Sequence, residues 1–213
     1  MTGYGTLQSL IQFWEALKEG NKPDLVIISY CSGHDMRNTG ARAWIKSLVT
    51  HSSSAKVLST VKFPFARLSK NHKELKLVYS PLEYHSVPLA HHSALANYID
   101  HLYNIFLISR NANRDHYVSR LLLNEFSYIC KTEGIPFVVA GICSDYATAD
   151  MLEYLNKKGT PTVDISVDLS IKENNNLPYE EWHPSAFANK KYAHKLQSFL
   201  CRMKLINGST CDY

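Results

Sequence analysis

An α/β fold built on a parallel sheet is what this sequence predicts, and three observations predict it. Leu25, Val26, Ile27 and Ile28 form a continuous apolar run bounded by Pro23 before and Ser32-Gly33 after, the pattern of a strand covered on both faces. A second such run spans Ile135–Ile142, with Pro136 tolerable near its start, and a third, shorter one spans Pro161–Ile165. Helical spacing fills the intervals between them. A helix between consecutive strands calls for parallel pairing with right-handed crossovers, so the first run is expected to be central.

The remaining elements follow in order. Leu7, Leu10, Ile11, Trp14 and Leu17 repeat at helical spacing over Thr6–Glu19, with Gly20-Asn21 and Pro23 as the stop, giving an amphipathic helix packed on a sheet. Ala41–Val49 can form a helix, and His51–Ala55 is a serine-rich loop. Between Val57 and Tyr84 the pattern alternates, predicting a two-stranded antiparallel excursion through Val61–Phe63 and Leu75–Tyr79. Two long helices come next, one over Leu89–Arg110 with Leu95, Ile99, Leu102 and Phe106 on one face, and one over Arg114–Thr132 closed by Gly134. Asp145–Lys158 is helical, with Gly159 as its stop, and a last helix follows Pro184-Ser185 and buries Tyr192, Leu196, Phe199 and Leu200.

Composition narrows the function classes. A chain of 213 residues with 45% hydrophobic and 20% charged residues has the makings of one globular domain with a sizeable core. The net charge of +4 is scattered rather than gathered into an aromatic-interleaved stripe, which argues against nucleic acid as partner. No apolar run reaches the ~18 residues of a membrane span, and no basic-then-apolar leader follows Met1. Five cysteines, Cys31, Cys130, Cys143, Cys201 and Cys211, are odd in number, widely spaced and without a CxxC pair. That pattern predicts reduced thiols in a cytoplasmic chain and no metal centre, and no HExxH accompanies the ten histidines, which include His91-His92.

The candidate functional residues sit where such a sheet places a site. Ligands of open α/β sheets bind beyond the carboxyl ends of the strands, which is where Ser32, Gly33, His34 and Asp35 leave the first apolar run. The same four are also ordinary turn formers. The turn Gly3-Tyr4-Gly5-Thr6 would present N–H groups at a helix N-terminus, either to an oxyanion or simply as a cap. His183 precedes Pro184-Ser185, with Glu180 and Glu181 two or three residues earlier, the arrangement of a base with a carboxylate to orient it.

The combination GYGTLQSL near the start, a strand ending in SGHDMRN and a late EEWHPSAFANKKYAHKL resembles the SGNH (GDSL-type) hydrolase family, over nearly the whole chain. The resemblance implies a three-layer flavodoxin-like sheet and ester chemistry. It makes Gly3 the glycine whose N–H enters the oxyanion hole, His34 the counterpart of the family's asparagine, Asp35 the aspartate after it, and His183 the general base. Glu180, or alternatively Glu181, takes the place of the acidic partner.

The chain departs from the family in three ways. No Gly-Asp-Ser block bearing the nucleophile is present, His34 stands for asparagine, and glutamate stands for aspartate before His183. The resemblance therefore implies the C-terminal part of a longer protein, which could carry its own secretion signal, or a shortened relative. Its first strand would be missing, leaving the Leu25–Ser29 strand with an open edge suited to self-association. Ser32 and Cys31 are the local substitutes for the nucleophile, though neither lies in a Gly-x-Ser-x-Gly elbow. The implied activity is hydrolysis or transfer of an O-acyl or O-acetyl group on a small-molecule or carbohydrate ester, without a cofactor. The alternative is a catalytically silent α/β binding or interaction module.

Overall fold

The computed structural model describes residues 4–50, 55–69, 71, 74–177 and 180–206. In chain order the elements are α1 (Thr6–Lys18), β1 (Val26–Tyr30), α2 (Gly33–Thr39), α3 (Arg42–Thr50), α4 (Ala55–Leu58), β2 (Lys62–Leu68) and β3 (Leu75–Pro81). After these come α5 (Ala94–Glu133), β4 (Phe137–Gly141), α6 (Tyr146–Lys157), β5 (Thr162–Asp164), β6 (Asn175–Leu177), β7 (Glu180–Pro184) and α7 (Ala186–Arg202). They form two compact units, Met1–Glu19 with Gly33–Leu123, and Gly20–Ser32 with Asn124–Tyr213.

The second unit holds the parallel sheet. Its strand order is β1-β4-β5, with Val26 opposite Phe137 and Val139 opposite Thr162. β4 is buried along its whole length, which is why FVVAG reads as an unbroken apolar run. β1 is an outer strand of this sheet rather than the central one expected, with Ile27 and Ile28 only partly covered. Phe199 and Leu200 of α7 pack on Val138, with Leu25, Ile27 and Val163 around them, and Phe126 stacks on Phe137 at 5.7 Å.

The first unit is built on the antiparallel β2–β3 pair, which runs from Lys62 opposite Pro81 to Leu68 opposite Leu75. α1 packs here, on the hairpin and α5: Leu7 joins Ala66, Val118 and Leu122 in one cluster, while Trp44, Phe65 and Leu82 form another. Gly40 turns the chain from α2 into α3 at φ +61°, and a Cβ there would lie 2.5 Å from the Phe65 ring. Only glycine meets both the left-handed backbone and the close ring.

Two expectations change. The Ser-Gly-His-Asp turn is a short helix, α2, not a loop. The two long helices are one: α5 runs 40 residues, because no glycine or proline lies between Ala94 and Glu133 to end it, and the polar Asn111–Arg114 stretch breaks nothing. Its end is the one predicted, with Gly134 at φ +66° and the Ile135 N–H returning to the Cys130 carbonyl at 2.8 Å. Val118, Leu122 and Phe126 on this helix are buried, whereas Leu95, Ile99, Leu102 and Phe106 are exposed.

Asp100 ties the start of α5 to the rest of the first unit. It is fully buried, and its carboxylate accepts from Arg42 Nη2 at 2.5 Å, Lys46 Nζ at 2.6 Å, the Val87 N–H at 3.0 Å and the Tyr84 hydroxyl. Burial pushes its pKa up, but these four donors together outweigh burial and hold it well below the usual carboxylate range. The charge therefore stabilises the fold above the unfolded carboxylate pKa, and that contribution is lost as pH falls through the lower folded value. Asp100→Asn, which leaves two cations facing a neutral amide, should cost about 2–3 kcal/mol in urea unfolding at neutral pH, with a smaller cost in acid.

Candidate functional site

The carboxyl ends of β1 and β4 lie side by side, Tyr30 opposite Gly141, and both strands continue into Cys-Ser: Cys31-Ser32 and Cys143-Ser144. Two chain segments leaving a parallel sheet at one level bring equivalent positions together. Cys31 and Cys143 are disulfide-bonded there, their Cα atoms 5.3 Å apart. Cys201 is disulfide-bonded as well, and Cys130 is a free, buried cysteine. The expectation of reduced thiols is thus corrected, and the argument it gave for a cytoplasmic chain falls with it. Wide spacing hid the pairing because 112 residues separate two positions that the sheet makes neighbours. The bond also occupies Cys31, so it is not available as a nucleophile in this state.

Ser32 is held just as firmly. Its hydroxyl donates to Asp145 Oδ2 at 3.1 Å, and its N–H donates to Thr148 Oγ1 at 3.3 Å. Asp145 is the N-cap of α6: Oδ1 accepts from the Thr148 N–H at 2.8 Å and Oδ2 from the Thr148 hydroxyl at 3.0 Å. The Ser32 proton is therefore directed at a carboxylate rather than at an imidazole. One sulfur each from Cys31 and Cys143 and a carboxylate oxygen of Asp145 lie within 4.8 Å of one another, but the sulfurs are bonded together and do not form an open donor set.

α7 brings the His183 segment to the same end of this sheet. Early in the helix, the Tyr192 hydroxyl donates to the carbonyl of Ile142, just past β4, at 3.3 Å, and Lys195 Nζ donates to the carbonyl of Ser166, just past β5, at 2.5 Å. Late in the helix, Phe199 and Leu200 pack on Val138 near the start of β4. α7 thus runs antiparallel to the strands, with its N-cap Ser185 at their carboxyl ends. His183 is exposed and stands on β7, which pairs with β6. Glu180 and Glu181 are on the same strand. Gly3 lies outside the described residues.

Gly33, His34 and Asp35 open α2, within the first unit. Asp35 is buried, and its Oδ2 lies 2.9 Å from His116 Nδ1 on α5, a partner sequence spacing could not reveal. Asn38 is fully buried: its Oδ1 accepts the Leu7 N–H at 2.9 Å, and its Nδ2 donates to Ser119 Oγ at 2.9 Å. Sequence reasoning missed His116, Asp145 and Asn38. The repeated strand-Cys-Ser ending was the one legible signal, and it pointed to the disulfide and to Asp145.

Burial, helped by the charge of Arg37 and opposed by that of Asp35, lowers the His34 pKa from 6.5 to about 4. The imidazole is neutral at neutral pH and offers one N–H donor. A base with a lowered folded pKa takes up its proton first in the unfolded chain, so stability falls as pH drops from 6.5 to about 4 and changes no further below that. His34→Gln should flatten this window in urea unfolding followed against pH.

The disulfide predicts a second measurement. Non-reducing peptide mapping should recover Cys31 joined to Cys143. Because the bond closes a loop of more than a hundred residues, Cys143→Ser should lower stability by about 4 kcal/mol.

Compared with protein-family models, curated proteins and solved structures, the chain matches none of them.

Proposed function

We propose that this chain is an SGNH-type acyl-ester hydrolase module with a flavodoxin-like sheet, acting on an O-acyl or O-acetyl ester of a small molecule or carbohydrate, with His183 as general base. The observation that carries the reading is the antiparallel run of α7 against β1 and β4, which sets the His183–Ser185 segment at the carboxyl ends of a parallel sheet. The order of the glycine turn, the His-Asp block and the late histidine along the chain supports it too.

In the proposed reaction a serine oxygen attacks the ester carbonyl while His183 takes the serine proton. Glu180 or Glu181 orients the imidazole, and backbone N–H donors hold the oxyanion. The alcohol leaves with the proton from His183, and water repeats the sequence on the acyl-enzyme. A sugar hydroxyl in place of water makes the reaction a transfer. Self-association belongs to the same proposal, through the outer edge of β1.

A second reading, a silent binding module, is favoured by the engagement of both local nucleophile candidates, Cys31 by Cys143 and Ser32 by Asp145. One experiment separates the two: fluorophosphonate labelling with peptide mass spectrometry, beside hydrolysis of nitrophenyl acetate. Labelling of a single serine, with turnover lowered about a thousandfold or more in His183→Ala, is expected of the hydrolase. An unlabelled chain without turnover rejects it in favour of the binding module.

A further inference from the structure

In the first unit, away from the residues assigned above, a cavity of about 240 Å³ opens between the start of α3, β2 and the middle of α5. Arg67 contributes to the lining from β2 and Asn111 and Arg114 from α5, with Leu107 and Ile108 as its apolar part. Arg114 donates from Nε and Nη2 to the buried Asp115, at 3.2 and 3.1 Å, which fixes the orientation of its guanidinium in the lining. Arg42, also in the lining, is committed to Asp100, Asn104 and the carbonyl of His85.

The cations around this cavity outnumber the one carboxylate in its lining, Asp115. Arg67 faces Lys76 across the β2–β3 ladder, so two cations occupy directly opposed positions on one face of the hairpin, a placement that costs stability unless an anion lies between or beside them. Arg114 adds a third cation: burial first, and then the Arg114 charge, lower the Arg67 pKa, while the Asp115 charge raises it, and the Arg67 guanidinium also lies over the Phe65 ring at 5.7 Å. Asp115, the carboxylate in the lining, is tied to Arg114 and to the Thr39 hydroxyl.

We infer that this cavity binds the phosphate group of a small organic phosphate monoester, between Arg67 and Arg114, with the organic part against Leu107 and Ile108. A single guanidinium fork suits a planar carboxylate, whereas donors converging from a strand and a helix match a tetrahedral oxyanion. The lining at Arg42 and Ala43 adds to this match, since the first N–H groups of α3 have no acceptor within the helix. The small volume limits the organic part to a few carbons.

Isothermal titration of the full chain with inorganic phosphate, propyl phosphate and acetate tests the inference. Both phosphates should bind at least about tenfold more tightly than acetate, and Arg67→Gln and Arg114→Gln should each weaken them about tenfold or more. Lys190→Gln, which removes the same charge from an exposed position on α7, should leave both unchanged. Tighter binding of propyl phosphate than of inorganic phosphate assigns the site to the monoester, while equal affinity reassigns it to free phosphate and overturns the role given to the apolar wall. Equal binding of acetate, or phosphate affinity unaffected by either arginine substitution in variants with unchanged circular dichroism, overturns the site altogether.

Discussion

The carboxamide of Asn38 is the interaction on which the first unit most depends. Its oxygen accepts the Leu7 N–H, one of the donors that the first turn of α1 cannot satisfy internally, and its nitrogen donates to Ser119 on α5. It does so with no exposure at all, so neither partner can turn to water if the amide is lost. Gly5 is small for the same reason: a Cβ there would meet Asn38 Oδ1 at 2.6 Å. The glycine turn before α1 and the asparagine that closes the His-Asp stretch, 33 positions apart, are thus parts of one buried contact.

That contact changes how the stretch after β1 is understood. Cys31 bonds Cys143, Ser32 bonds Asp145, Asp35 pairs with His116, Arg37 donates to the Tyr4 carbonyl at 3.2 Å, and Asn38 serves Leu7 and Ser119. Each of these side chains, although it reads as chemistry in the sequence, also satisfies a backbone or side-chain group. A chain leaving a buried strand carries polar groups that must find partners, so the residue types that suit a site also suit its scaffold.

Much of the fold was legible because it rests on local periodicity. α1 and α6 fall within a residue or two of their apolar patterns, the hairpin is where it was expected although β2 runs on to Leu68 rather than ending at Phe63, and Gly134 and Gly159, at φ +66° and +83°, end helices where glycine predicts a stop. What was not legible depends on pairing across long separations. No spacing rule links Asp35 to His116 or Cys31 to Cys143, and the odd cysteine count argued against any pair at all. α5 was divided in two because Asn111–Arg114 interrupts the apolar pattern, yet a polar stretch without glycine or proline costs a helix little when its neighbours continue it. The strand under His183 was not legible either, because Pro184 follows it, yet proline is tolerated at the end of a short strand such as β7.

The same reasoning bears on what the carboxyl ends of the parallel strands can do. At β1 and β4 the disulfide and the Ser32–Asp145 bond leave no loose thiol or hydroxyl among Cys31, Ser32 and Cys143, so the pre-organised part of that region is its frame rather than its nucleophile. Around Arg67 the balance differs: Arg67 and Lys76 stand opposed on a hairpin beside a cavity, and Asp115, the carboxylate in that lining, is already tied to Arg114. Cations in excess of the carboxylate beside them are a stronger pointer to an anionic ligand than a reactive side chain already bonded within the frame. This places the more specific recognition chemistry of the described residues on the hairpin side of the first unit, in a stretch whose alternating pattern gave no hint of it.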